Sequence, residues 1–197
     1  MGKLQSLAWT LVQRWVAQAA NPVEVLPADP DEGPAALETL GLTDRSVLGA
    51  LAVNTSGLTI DHGWLRVLGG PRLLEWRDRL ENGFIVGHDV VAGFYAVDKQ
   101  EGEVRYLGPD TLEWMGTEMG HSEWVHWTLA GDIASFYADL RWPGWEDESG
   151  TLAPDHGFEI EPAPFTRAGR AIADAQHTPA PMTALWDRQQ AFIEEFS

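Results

Sequence analysis

Three Asp/His pairs are the residues in this chain best suited to chemistry: Asp61-His62, His88-Asp89 and Asp155-His156. An imidazole beside a carboxylate is the material of a metal centre or an acid–base couple. Two of the pairs fall at breaks between strand-like runs. Their spacing matches no ligand motif such as H-E-x-x-H, so capping turns and bonding backbone is the competing role. His121, Ser122, Glu123 and His126 form a second group, at the start of a helical stretch. No G-x-S-x-G elbow accompanies them, which leaves a hydrolase triad little support. There is no Walker loop, and Gly69-Gly70-Pro71 is not a phosphate cradle. The chain has no Cys, which excludes thiolate zinc, disulfides and a Cys nucleophile. The expectation is no catalytic residue, no metal and no cofactor.

A different chemistry, recognition, is carried by aromatics. Ten Trp is high usage, and Trp64, Trp114, Trp124, Trp127, Trp142 and Trp145 fall in or beside one stretch, 83–145. Core packing is one role, since each Trp buries on the order of 200 Å². An exposed anchor at a protein interface is the other. Trp142 and Trp145 flank a Pro-Gly corner followed by Glu146, Asp147 and Glu148. A corner is harder to bury than a helix stripe, so these five residues are the candidate binding site, with at least one of the two Trp partly exposed. Arg66, Arg105 and Arg141 are scarce cations in an acidic chain. Arg141, with Asp139 nearby, suits an internal ion pair; holding an anionic ligand is the other use of such an Arg.

The elements that would position these groups follow from periodicity. Leu4, Leu7, Ala8, Leu11, Trp15 and Val16 form one stripe of an N-terminal helix within 1–20. Residues 21–34 hold four prolines and read as an exposed connector. A short helix after Pro34 closes at Gly41. The apolar run SVLGALAVNT reads as a buried strand, paired with LTIDHGWLRVLGG in a hairpin over 46–68. Pro71 opens a helix ending at Asn82-Gly83. Strand-like runs follow on both sides of Gly87-His88-Asp89, and Lys99-Gln100-Glu101-Gly102 turns a hairpin back into EVRYLG. Residues TLEWM suit either an edge strand or a turn. Ser122 and Asp132 are candidate N-caps. Val125, Leu129, Ile133, Phe136 and Leu140 make the buried stripe of a helix around 122–140, with Gly131 as a kink or break. Residues 43–145 are then the sheet and aromatic-helix core, 146–181 a Pro-rich wrap with one edge strand in GFEIEPAPF, and 182–196 a final helix.

IDHGWLRVLGG, DVVAGFYAVD, GEVRYLGPDTLEW and WTLAGDIASFYADLRWPGWE resemble the bacterial family domain of unknown function 2625, over roughly 40 to 195. At position 92 that family often has Gly where this chain has Ala92. The Gly-aromatic strand, the G-x-V-aromatic strand and the SFYADL helix also resemble, at fold level, the yeast cell-wall-regulator-like (SUKH) superfamily, which includes immunity proteins that neutralise toxins. These resemblances imply an α+β fold and carry no catalytic residue.

Together the patterns predict a single α+β domain: a twisted, mostly antiparallel sheet of about five strands with covering helices. The 197 residues are enough to bury a core without staples. Thirty acidic residues against thirteen basic ones give a net charge of −17. That field disfavours nucleic acid and anionic membrane and favours a basic protein partner. No apolar run approaches a membrane span. Gln13 and Arg14 interrupt the first apolar stretch, which predicts a cytoplasmic protein with no signal peptide. The leading expectation is a non-enzymatic protein-binding domain, toxin-neutralising in the manner of an immunity protein. The alternatives are a small hydrolase or metal-dependent enzyme using the Asp/His pairs, and a structural homo-oligomer.

Overall fold

The computed structural model describes residues 6–29 and 31–196. Leu4 of the N-terminal stripe and Pro30 of the connector lie outside them. Seven strands form one antiparallel meander in chain order: β1 (Val23–Pro27), β2 (Thr55–Ile60), β3 (Leu65–Leu68), β4 (Gly83–Asp89), β5 (Phe94–Asp98), β6 (Glu103–Leu107) and β7 (Trp114–Gly120). A separate two-stranded sheet pairs β8 (His156–Glu161) with β9 (Gln176–Pro181). The α+β class holds, but the main sheet has seven strands rather than about five. The two extra ones, β1 and β7, are edge strands. β1 lies in the Pro-rich segment 21–34, where prolines at an edge are tolerated because one side of the strand has no ladder to complete.

The helices are α1 (Leu7–Ala17), α2 (Glu32–Leu40), α3 (Val47–Asn54), α4 (Gly70–Trp76), α5 (His121–Ala130), α6 (Ile133–Phe136), α7 (Trp145–Thr151) and α8 (Met182–Phe196). Helix α3 corrects the strand expected at SVLGALAVNT. An apolar run without polar alternation suits either element once both sides are buried, and Leu and Ala are better helix formers than strand formers. Ser46 starts it: its Oγ accepts from the Gly49 N–H at 3.0 Å. The hairpin is therefore β2–β3, shorter than 46–68. In α1, Ala8 and Val12 are buried, while Leu7, placed on the stripe by spacing, is 90% exposed.

The stretch around 122–140 divides at Gly131 into α5, α6 and a 3-10 turn over Ala138–Leu140. Ser122 is not a cap: α5 begins two residues earlier, with Gly120 at the N-cap and Glu123 Oε2 accepting the Gly120 N–H at 3.0 Å. Asp132 does cap α6, accepting from the Ser135 N–H at 3.0 Å. The break shifts the register of the stripe. Val125, Leu129, Ile133 and Leu140 are buried, but Tyr137 takes the inward position and Phe136 is 43% exposed.

The two faces of the main sheet are covered differently. On one, Trp124 of α5 packs over Tyr95, and a Cβ on Gly87 would collide with its ring; α1 backs α5 through Trp15 and His126. On the other, Trp76 of α4 and Trp186 of α8 close over His88 and Phe94. One core runs through both layers and includes Phe158 and Ile160 of the small sheet.

Candidate functional site

The Trp-Pro-Gly-Trp corner is built around a left-handed glycine. Gly144 has φ 90°, a conformation that a Cβ disfavours, and it lets the chain turn straight into α7. The two tryptophans part there. Trp142 is buried at 4% exposure, against Trp64, Phe158 and His177, with His177 only 3.9 Å away centre to centre. Its Nε1–H donates to Glu148 Oε1 at 3.1 Å. Trp142 is thus core, and the partial exposure expected of the pair rests on half-buried Trp145. Trp145 lies against Trp64 and against the Arg141 guanidinium, which is 3.9 Å from its ring centre and 4.9 Å from that of Trp64. Arg141 does form an internal ion pair, with Asp61 at 2.5 Å rather than with Asp139. Glu146, Asp147 and Glu148 are exposed on the first turn of α7, where carboxylates are favoured by the helix dipole.

The three Asp/His pairs have three separate settings. Asp61 and His62 both have positive φ in the β2–β3 turn; Asp61 holds Arg141, and His62 is exposed, edge-on to Trp145. Asp155 and His156 bond each other at the surface, at 2.9 Å. His88 and Asp89 are both buried in the core. Asp89 accepts from the N–H groups of Val91 and Gly93 at 3.0 and 2.7 Å and from the Tyr106 hydroxyl at 2.8 Å. Tyr137 and Tyr95 extend the network, their hydroxyls 2.7 Å apart. Burial outweighs these donors and pushes the Asp89 carboxyl up to about 6. Burial and the charges of Arg66 and Arg72 hold the His88 imidazole well below its ordinary value. Among the described residues no group of three or more His, Asp or Glu is placed to hold a metal ion. His121 and His126 do not converge with Ser122 on a triad: His121 packs on Trp124, and His126 on Trp15.

Beside the α7 corner lies a cleft of about 490 Å³, within the range of small-ligand sites. Glu24, Thr59, His62, Gly63, Arg66, Ser149 and Gly150 are among its walls. Its floor follows from strand register: Glu24 pairs with Thr59, Thr59 with Arg66, and Arg66 with His88. Directly paired residues share a face, so one polar row crosses β1 to β4 before the face turns apolar at Phe94. Arg66 is 3% exposed; its Nη1–H donates to the His156 carbonyl at 3.0 Å. Burial lowers its guanidinium to about 10, with Arg72 adding to the effect and Asp89 and Asp155 opposing it. Arg105, by contrast, is a surface partner of Glu101 at 2.6 Å. Ser149, Thr59 and Glu24 went unremarked in the sequence because only the register of two strand pairs, and α7 folding back beside them, brings them near Arg66.

Residues 2–185 match the family described as Protein of unknown function DUF2625. The chain belongs to the DUF2625 family. The "Putative uncharacterized protein YbfG" of Escherichia coli K12 is 32% identical over 96% of this chain and 94% of its own. An "Uncharacterized protein" of Haemophilus influenzae is 29% identical over 79% of this chain and 76% of its own. No solved structure matches significantly. Membership accounts for the strings quoted above and names no activity. No helix among the described residues is long and apolar enough to cross a membrane.

Proposed function

We propose that the chain is a non-enzymatic, cytoplasmic binding protein whose partner is a basic protein, engaged as an immunity protein engages a toxin. The observation that carries this reading is the first turn of α7. Glu146 and Asp147 are exposed there beside half-buried Trp145, and the turn is pinned by buried Trp142 through its bond to Glu148. Acids on a rigid mount next to an aromatic are what a cationic surface recognises: charge steers the encounter, and the aromatic slows dissociation. The net charge of −17 extends the same field over the molecule. The buried setting of His88 and Asp89 favours binding over catalysis at that pair, since a reacting group must meet its substrate.

The test is capture from the native lysate on immobilised protein, at low and high salt. A basic protein retained at low salt and released as screening shortens to about 8–10 Å or less is the expected result. Recovery of no basic protein at low salt would contradict the reading.

A further inference from the structure

We propose that the outer edge of β1 is a strand-addition site for an extended basic segment of the partner, with an apolar–cation–apolar pattern set opposite Val23, Glu24 and Val25. The sign of the partner's charge rests on the reading above; the edge itself rests on backbone geometry. β1 ends the main sheet, and no strand among the described residues pairs with its outer side. One bond fixes which of its groups face outward. The Asp61 N–H donates to the Pro22 carbonyl at 2.7 Å, in the ladder where Val23 pairs with Ile60 and Glu24 with Thr59. Backbone groups of an antiparallel strand turn to alternate sides residue by residue, so Pro22, Glu24 and Leu26 bond toward β2. The N–H and C=O groups of Val23 and Val25 point away from it. Neither valine makes a backbone bond outside the ladder among the described residues, and Val25 is 37% exposed.

The side chains select the guest. Pro22 and Pro27 bracket the edge and offer no N–H, so the free ladder is confined to the two valines. A short edge closed by prolines resists indiscriminate pairing and calls for a matched segment. Glu24 points to the opposite face from the valines, into the wall of the cleft that it shares with Thr59 and Arg66. A guest residue opposite Glu24 forms a non-hydrogen-bonded pair, with Cα atoms about 4.5 Å apart. Opposite charge is favoured there. Arg66 does not oppose it: three strand spacings put it about 15 Å from the guest, beyond the screening length of about 8–10 Å. On the other face, half-buried Val23 and exposed Val25 favour apolar guest residues. The net charge of −17 steers a basic segment to this edge.

The probe is the capped pentapeptide Lys-Val-Lys-Val-Lys, titrated into the full chain at low salt and followed by backbone NMR. Its central Lys is set opposite Glu24 and its valines opposite Val23 and Val25. The expected result is a saturable shift of the Val23 and Val25 amides with a Kd of about 1 mM. With peptide at about ten times Kd, solvent exchange should slow about tenfold at those two amides and stay unchanged at Glu24 and Leu26, which already donate to β2. The same peptide N-methylated at both valines keeps the charge and loses the bonds; it should bind about tenfold more weakly. Equal binding by the two peptides, or protection elsewhere than at Val23 and Val25, overturns the proposal. Glu24→Lys, at an exposed position, should weaken binding about tenfold; equal affinity overturns the cation assignment. Glu146→Lys/Asp147→Lys should bind the peptide as the wild type does. Loss of binding in that variant would place the peptide on α7 and overturn the edge site, whereas failed lysate capture with intact peptide binding counts against the partner reading alone.

Discussion

Asp89 sits where a carboxylate is hardest to keep, and its three donors are the reason it is tolerated. The raised carboxyl means that the folded state binds a proton more tightly than the unfolded one. Its contribution to stability therefore falls as pH rises from its ordinary 3.8 to about 6. Tyr106→Phe removes the hydroxyl donor and should raise that carboxyl further. The loss, about 1–3 kcal/mol, should be full above the variant's raised carboxyl value and fade as pH falls to about 6 and below, where the folded carboxyl is protonated in both proteins; urea midpoints at about pH 9 and about pH 5 check it, and an equal loss at both would contradict the network. Ala92 is a second local conflict, with φ 68°, a conformation that a Cβ disfavours. Ala92→Gly should relieve this strain and stabilise the fold by about 1 kcal/mol; an unchanged or lower urea midpoint would count against it. Ala92 could be singled out from the resemblance, but its positive φ became visible only in the β4–β5 turn. The His88-Asp89 pair was legible as chemistry-capable residues, whereas its burial depends on Trp76, Tyr106 and other residues distant in the chain.

Apolar spacing identified α1, α8 and the α5–α6 stretch, and turn residues marked the β4–β5–β6 hairpins. It misled where a break or full burial erased the periodic signal. At Gly131 the helix stops, and the next turn presents Tyr137 inward in place of Phe136. Phe136 keeps edge contacts with Trp127, Tyr106 and Tyr137, so Phe136→Ala should cost about 1–2 kcal/mol. Fully buried Trp124→Ala should cost about 3–5 kcal/mol. Chemical denaturation separates the two, and equal losses would place Phe136 in the core after all. In α3 the apolar run hid the period altogether, and in β1 the prolines hid an edge strand. Both elements are set by neighbours: α3 by the helices around it, β1 by the ladder to β2.

The two faces of the main sheet carry different coverings. Over β4 and β5 the layer of α4 and α8 covers the face at His88 and Phe94. Over β1 and β2 it stops short, leaving the cleft and the α7 turn side by side, linked through His62 and Trp145. The sequence displayed the acids and tryptophans of that end but not the division between buried Trp142 and half-buried Trp145, because both flank the same turn. The binding reading stands on the outward acids of α7. The most direct test compares low-salt capture from native lysate by the wild type and by Glu146→Lys/Asp147→Lys, two exposed positions whose replacement leaves Trp142 and Glu148 in place. Loss of the captured basic protein in the charge-reversed variant, with unchanged thermal unfolding, is the predicted result. Capture of the same protein in equal amount by both would contradict the account.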